Sequence, residues 1–221
     1  MKTTKQNIIP QCIAVGIIFQ MLMIIFSNIG FSLIKYPTPT RFIAVSGIAM
    51  VVLSIGAFFA IRVANAKSYV RPTRFRIDMA VLGVALITGI TLLAIYRCEN
   101  NAQRAFLLLV TLAQPLYEGV IYRGLMWHKT NKTLHNKLQT WLVSLGVTTL
   151  TQLFYTFNIY QIMMAAGDTP ADPANIVLGI LAYGVAVNGI LGGVRAGVHN
   201  FTLPAILHSL INLALMYLVV L

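Results

Sequence analysis

Long apolar runs separated by short polar stretches dominate the chain, and their length rather than any short periodicity defines them. Seven recur: Ile8–Ile34, Phe42–Ala64, Met79–Tyr96, Ala105–Tyr122, Leu138–Phe157, Ile176–Gly193 and Leu203–Leu221. Each meets or approaches the roughly 20 residues that a helix needs to cross hydrocarbon. Within lipid, backbone polar groups must be satisfied inside the segment, so helices are the form such runs take. The pattern predicts an all-α, polytopic membrane bundle of about seven transmembrane helices. No intervening stretch is long enough for a soluble domain. Residues 1–221 therefore read as one membrane domain, and any chemistry must be built inside the bundle.

Composition sharpens this. Hydrophobic residues make up 58% of the chain and charged residues 10%, with a mean hydropathy of +0.80, which excludes an ordinary soluble domain. The first run begins with Lys2 and Lys5, but it is too long for a signal peptide and no small-residue cleavage site follows, so it reads as a retained helix. Twelve basic residues flank the N-terminal side of the predicted spans (Lys2, Lys5, Arg62, Lys67, Arg71, Arg74, Arg76, Arg123, Lys129, Lys132, Lys137 and Arg195), against four on the other side (Lys35, Arg41, Arg97 and Arg104). The positive-inside rule then places the N-terminus in the cytoplasm and the C-terminus outside, in a multi-pass protein of the cell membrane. The net charge of +11 is assigned to lipid headgroups rather than nucleic acid, because its carriers flank spans. Cys12 and Cys98 form no disulfide framework or zinc pattern.

Polar residues inside the runs carry the candidate chemistry. Glu118 stands in Pro115-Leu-Tyr-Glu-Gly-Val-Ile-Tyr-Arg-Gly124, and an ionisable group at membrane depth costs about 2.5–3.5 kcal/mol on insertion scales. Two readings fit it: a Glu118–Arg123 pair fastening a helix end, or a working carboxylate. His208 and Asn212 are four residues apart and so share one helical face. With Arg123 taken as the end of the fourth span, Glu118 and His208 fall at similar depth near the cytoplasmic side. A glutamate and a histidine so placed suit water activation, and equally suit a hydrogen-bonded cluster joining two helices. Pro115 predicts a kink beside Glu118. Gln20, Asn28 and Asn188 read as hydrogen-bond partners between helices.

These residues resemble the CPBP intramembrane proteases, the family of CAAX prenyl proteases and bacteriocin-processing or immunity proteins also called Abi. Glu118-Gly-Val-Ile-Tyr-Arg123-Gly124 is similar to its Glu-Glu-x-x-x-Arg motif, with Gly119 where the second glutamate is usual. Phe154-Tyr-Thr-Phe-Asn158 is similar to Phe-x-x-x-His, with Asn158 in the histidine position, and His208-Ser-Leu-Ile-Asn212 matches His-x-x-x-Asn. The resemblance covers a motif-bearing core, 105–221. It implies that Glu118 activates water, that His208 and Asn212 position it or stabilise an oxyanion, and that Arg123 holds the helix end. Asn158 would complete the site, with Gln152 as its substitute if Asn158 lies too far along its helix.

The expected function is an endopeptidase acting from the cytoplasmic side on a peptide or a membrane-associated protein, with the lipid bilayer and that substrate as its partners. The alternatives are a non-catalytic bacteriocin-immunity or regulatory scaffold of the same family, and a small transporter. No tightly held zinc or other cofactor is expected, because one in-span histidine and one in-span carboxylate fall short of the three protein ligands of a catalytic zinc.

Overall fold

A computed structural model describes residues 7–33, 38–63, 101–166, 172–198 and 200–220. The predicted third span, 79–96, and the basic loop before it lie outside these. Among the described residues, helices are the regular structure: α1 (Ile8–Ser32), α2 (Pro39–Val63), α3 (101–134), α4 in two halves (Lys137–Gln152 and Tyr155–Ala166), α5 (Pro173–Gly197) and α6 (Thr202–Val220). Among the described residues, four stretches are long and apolar enough to cross a membrane: Ile8–Ser32, Pro39–Phe59, Gln103–Leu134 and Pro173–Gly197.

The bundle is apolar outside and sets a polar cluster within an apolar core. Ile18, Ile29, Ile48, Val52 and Leu178 are each more than half exposed, whereas Gln20, Ser27, Glu118, Thr140, Gln152 and His208 are buried. That arrangement suits a lipid solvent, in which close packing and interhelical hydrogen bonds hold helices together.

Helix α3 departs most from the sequence expectation. The apolar pattern ends the fourth run near Arg123, but the helix continues to Leu134, so that Gln103–Leu134 alone spans 32 residues, about 48 Å at 1.5 Å per residue. The polar residues after Arg123 read as a loop. They form an amphipathic extension instead, burying Trp127 and Thr130, and the Thr130 hydroxyl lies 3.1 Å from the Cys12 thiol of α1. His135, in the left-handed region at φ 52°, ends the helix, and the Asn136 side chain accepts from the Gln139 N–H to start α4.

Two π-helical segments interrupt α3, Leu109–Ala113 and Gly119–Met126. They bracket Glu118. The predicted fifth span, Leu138–Phe157, is also corrected: α4 breaks at Leu153 and Phe154, whose N–H groups reach only to Leu150 and Thr151. The Thr151 hydroxyl donates back to the carbonyls of Val147 and Thr148, a back-bonding that bends helices.

Glycines let α4 and α5 meet closely. A Cβ at Gly192 would stand 2.6 Å from Trp141 Cδ1, while one at Gly193 would meet nothing within 4 Å. Trp141 Nε1 donates to the Gly189 carbonyl at 3.0 Å, which fixes the ring where Gly192 passes. Gly192→Ala should therefore lower the thermal midpoint of the purified protein, by overpacking worth about 1–3 kcal/mol. Gly193→Ala should leave it unchanged or slightly raised, as alanine favours helix. Equal midpoints for the two variants would contradict the packing described.

Candidate functional site

Glu118 lies near the middle of α3 and is fully buried. A carboxylate is an acceptor only, and its neighbours are donors. Its Oε1 accepts from Gln114 Nε2 at 3.0 Å, Gln152 Nε2 at 3.0 Å and the Tyr155 hydroxyl at 3.2 Å. Its Oε2 shares the Gln152 amide at 3.0 Å and lies 3.6 Å from Arg123 Nη2. Arg123 Nη2 also donates to Asn188 Oδ1 at 2.9 Å, and Asn188 Nδ2 donates to Gln152 Oε1 at 3.0 Å. Glu118, Arg123, Asn188 and Gln152 thus close a ring drawn from α3, α4 and α5.

The second π segment makes this pairing possible. Five residues along an α-helix turn the chain about 140° past a full circle, which would point Glu118 and Arg123 apart. A π turn closes on the residue five positions on, so it is wider and carries Arg123 back toward the side of Glu118, where the two side chains meet at 3.6 Å.

His208 extends the ring into a chain. Arg123 can only donate, so its 3.4 Å approach to His208 Nδ1 makes that nitrogen the acceptor. The imidazole then carries its proton on Nε2, facing the Tyr183 oxygen at 2.9 Å. Tyr183 donates its own proton to Asn212 Oδ1, and Asn212 Nδ2 donates to the Val110 carbonyl at 2.6 Å. One neutral tautomer satisfies every contact in sequence. His208 Nδ1 stands 3.7 Å from Glu118 Oε2, but without a proton there it makes no ion pair.

Both π segments are fastened by side chains from other helices. The Gln114 N–H bonds the Leu109 carbonyl in π fashion, and the following acceptor, Val110, would next need the N–H of Pro115, which proline lacks. Asn212 supplies it. The Trp127 N–H bonds the Tyr122 carbonyl, and the following carbonyl, Arg123, takes Arg195 Nε at 2.8 Å. Arg195 is buried, bonds the Val198 carbonyl at 2.7 Å and lies over the Trp127 ring, 5.4 Å from its centroid.

A cavity of about 530 Å³ adjoins the cluster. Gln114, Gln152, Tyr155, Tyr183 and Asn212 line its polar end: the first three bond Glu118, Tyr183 bonds His208, and Asn212 holds Tyr183.

Of the residues singled out in the sequence, Glu118, Arg123 and His208 come into mutual contact and Asn212 joins through Tyr183. Asn158 stands apart: its Nδ2 faces Met23 Sδ at 3.1 Å, and Gln152 occupies the position beside the carboxylate. Arg123 is buried in mid-helix, not at a helix end. Asn28 bonds the Ile24 carbonyl of its own helix rather than a neighbour, whereas Gln20 reaches the Tyr122 hydroxyl of α3 at 2.9 Å. Tyr155 and Tyr183 were not singled out, since a tyrosine in an apolar run reads as packing.

A divalent cation does not suit these partners. Among the described residues no three His, Cys, Asp or Glu side chains cluster, and a guanidinium and amide donors already face the carboxylate.

The geometry defines a membrane helical bundle with a buried carboxylate, histidine and asparagine on facing helices. The family model of type II CAAX prenyl endopeptidases, Rce1-like, matches residues 100–214, and the chain belongs to that family. This agrees with the resemblance carried by Glu118–Gly124 and His208–Asn212. No curated protein and no solved structure matches the chain.

Arg123 is the only cation within reach of Glu118 among these contacts. Arg123→Met should destabilise the folded protein by about 3–5 kcal/mol, as expected on breaking a buried pair. Glu118→Gln with Arg123→Met should recover much of the loss. Unfolding followed in a single detergent checks this, and additive losses would show that the two groups do not act as a pair.

Proposed function

We propose that this protein is a membrane-embedded endopeptidase in which Glu118 activates water. The observation supporting this most directly is a fully buried carboxylate whose hydrogen-bonding partners form the polar end of a cavity. In the proposed reaction a water bound there gives a proton to Glu118 as its oxygen attacks a peptide carbonyl. The carbonyl electron pair moves onto oxygen. Collapse of the tetrahedral intermediate breaks the C–N bond, and Glu118 returns the proton to the leaving amine. The oxyanion would draw its hydrogen bond from the Tyr183 hydroxyl, which must turn its one proton away from Asn212 Oδ1 while it still accepts from His208 Nε2. The reaction requires that Gln114 or Tyr155 move off the carboxylate, since together with Gln152 they occupy it.

That occupancy supports a second reading, a scaffold of the same family without proteolysis. Gly119 bears on both. A Cβ there would stand 2.8 Å from Ala205 Cβ of α6, so a second glutamate at this position does not fit the helix packing. Gly119→Glu should give less folded protein and no gain in activity.

Cleavage of peptides, including prenylated peptides ending in a CAAX sequence, by the purified protein in lipid tests the proposal. Glu118→Gln should abolish cleavage while the protein remains monodisperse, and His208→Ala should reduce it by about 10²–10⁴-fold. Equal cleavage by wild type and Glu118→Gln would sink the catalytic reading and leave the scaffold.

A further inference from the structure

The cavity lies on one side of the Glu118 cluster, and that side is not the one the sequence led us to expect. Its wall includes Gln103 and Phe106 of α3, Ser46 and Met50 of α2, and Gly179 and Ile180 of α5. These stand in the first halves of their helices, which begin at Asn101, Pro39 and Pro173. Leu215, on the same wall, stands near the last residues of α6, which runs the other way. The cavity therefore reaches from the polar cluster at mid-bundle to a single face of the bundle. The opposite face carries the end of α3 and the start of α4, with Lys129, Lys132 and Lys137.

The twelve-to-four division of basic residues assigns that lysine-bearing face to the cytoplasm. The cavity then faces outward. Along α3 it extends from Gln103 to Gln114, about 16 Å at the helical rise, the length of roughly five residues of extended chain. No lining residue carries a charge. Its outer walls are largely aliphatic and aromatic, and its inner end presents amides and phenols, the groups that pair with peptide N–H and C=O. Asn158, also on the wall, leaves its Oδ1 without a hydrogen-bond partner among the described residues.

We infer that the cavity binds an uncharged, apolar polypeptide segment presented from the extracytoplasmic side, such as the stretch of an exported peptide or membrane protein that emerges from the bilayer. As a statement about substrate it rests on the endopeptidase reading, but the direction of access does not.

Single-cysteine variants test the access. With Cys12 and Cys98 replaced by serine, Ser46→Cys and Ile180→Cys report from the cavity and Lys132→Cys from the opposite face. In intact cells a membrane-impermeant maleimide should label Ser46→Cys and Ile180→Cys, and Lys132→Cys only after permeabilisation. A capped, uncharged pentaleucine peptide added outside should slow labelling of the two cavity positions several-fold, and a lysophospholipid at equal concentration should not. Labelling of the cavity positions only after permeabilisation, or from neither side, overturns the inference, as does protection by the lysophospholipid instead of the peptide. Because labelling needs no turnover, an inactive protein that labels from outside would refute the endopeptidase reading alone. An active one that labels only after permeabilisation would refute the outward access alone.

Discussion

A carboxylate buried in the middle of a lipid-facing bundle is tolerable only if its charge is matched where it sits. Desolvating an ion costs several kcal/mol even after the surroundings relax, and no water stands between lipid and the exposed apolar faces to share that cost. The match here comes from three helices: Gln114 and Arg123 from α3 itself, Gln152 and Tyr155 from the two halves of α4, and Asn188 of α5 through Arg123 and Gln152. The break in α4 follows the same demand, since Gln152 precedes the turn and Tyr155 follows it, and both donate to Glu118. A straight helix would carry residues three apart along one face at one spacing. The turn lets both reach a single carboxylate.

The π segments serve the same end. An α-helix keeps its side chains in a fixed order around the axis, and that order would separate Glu118 from Arg123. The wider turn between them brings the pair together, but each π segment leaves a carbonyl in need of a donor. Asn212 and Arg195 answer that need from α6 and α5. The Arg123–His208–Tyr183–Asn212 chain therefore begins at the carboxylate's counter-ion and ends at the carbonyl that Pro115 cannot reach. Asn212 is at once a member of the site and the clasp on the helix that presents Glu118.

Much of this was legible in the residues. Apolar length alone gave the membrane class, and the four-residue spacing of His208 and Asn212 placed them on one face, where Tyr183 now joins them. The cost of Glu118 singled it out, and its motif with Arg123 led to the right family. Other features were hidden for physical reasons. The extension of α3 past Arg123 is polar in composition, and only its burial against α1 shows why it is helical. The break in α4 depends on threonine hydroxyls turning back on their own helix, which hydropathy does not register. Asn158 entered through the resemblance alone, whereas its distance along the helix pointed to Gln152, which is the residue that reaches the carboxylate. Tyr155 and Tyr183 act through hydroxyl groups on rings whose presence in an apolar run is ordinary.

Stability and reactivity make opposing demands on the same side chain. Each donor that makes burial of Glu118 tolerable also occupies a lone pair that a water proton would need. Among these donors, Arg123 is bound on both sides by Asn188 and His208, and Gln152 is held by Asn188 through its carbonyl. They are fixed by the ring. Gln114 and Tyr155 line the cavity, and the contact each makes to the site is the one to Glu118 Oε1. Oε1 is thus the oxygen that a cavity ligand can uncover at the lowest cost, while Oε2 keeps its counter-ion. A segment entering with its own N–H and C=O groups offers Gln114 and Tyr155 replacement partners as they leave the carboxylate. In the proposed reaction substrate binding and exposure of the base become one event, and the empty site rests with its charge fully paired.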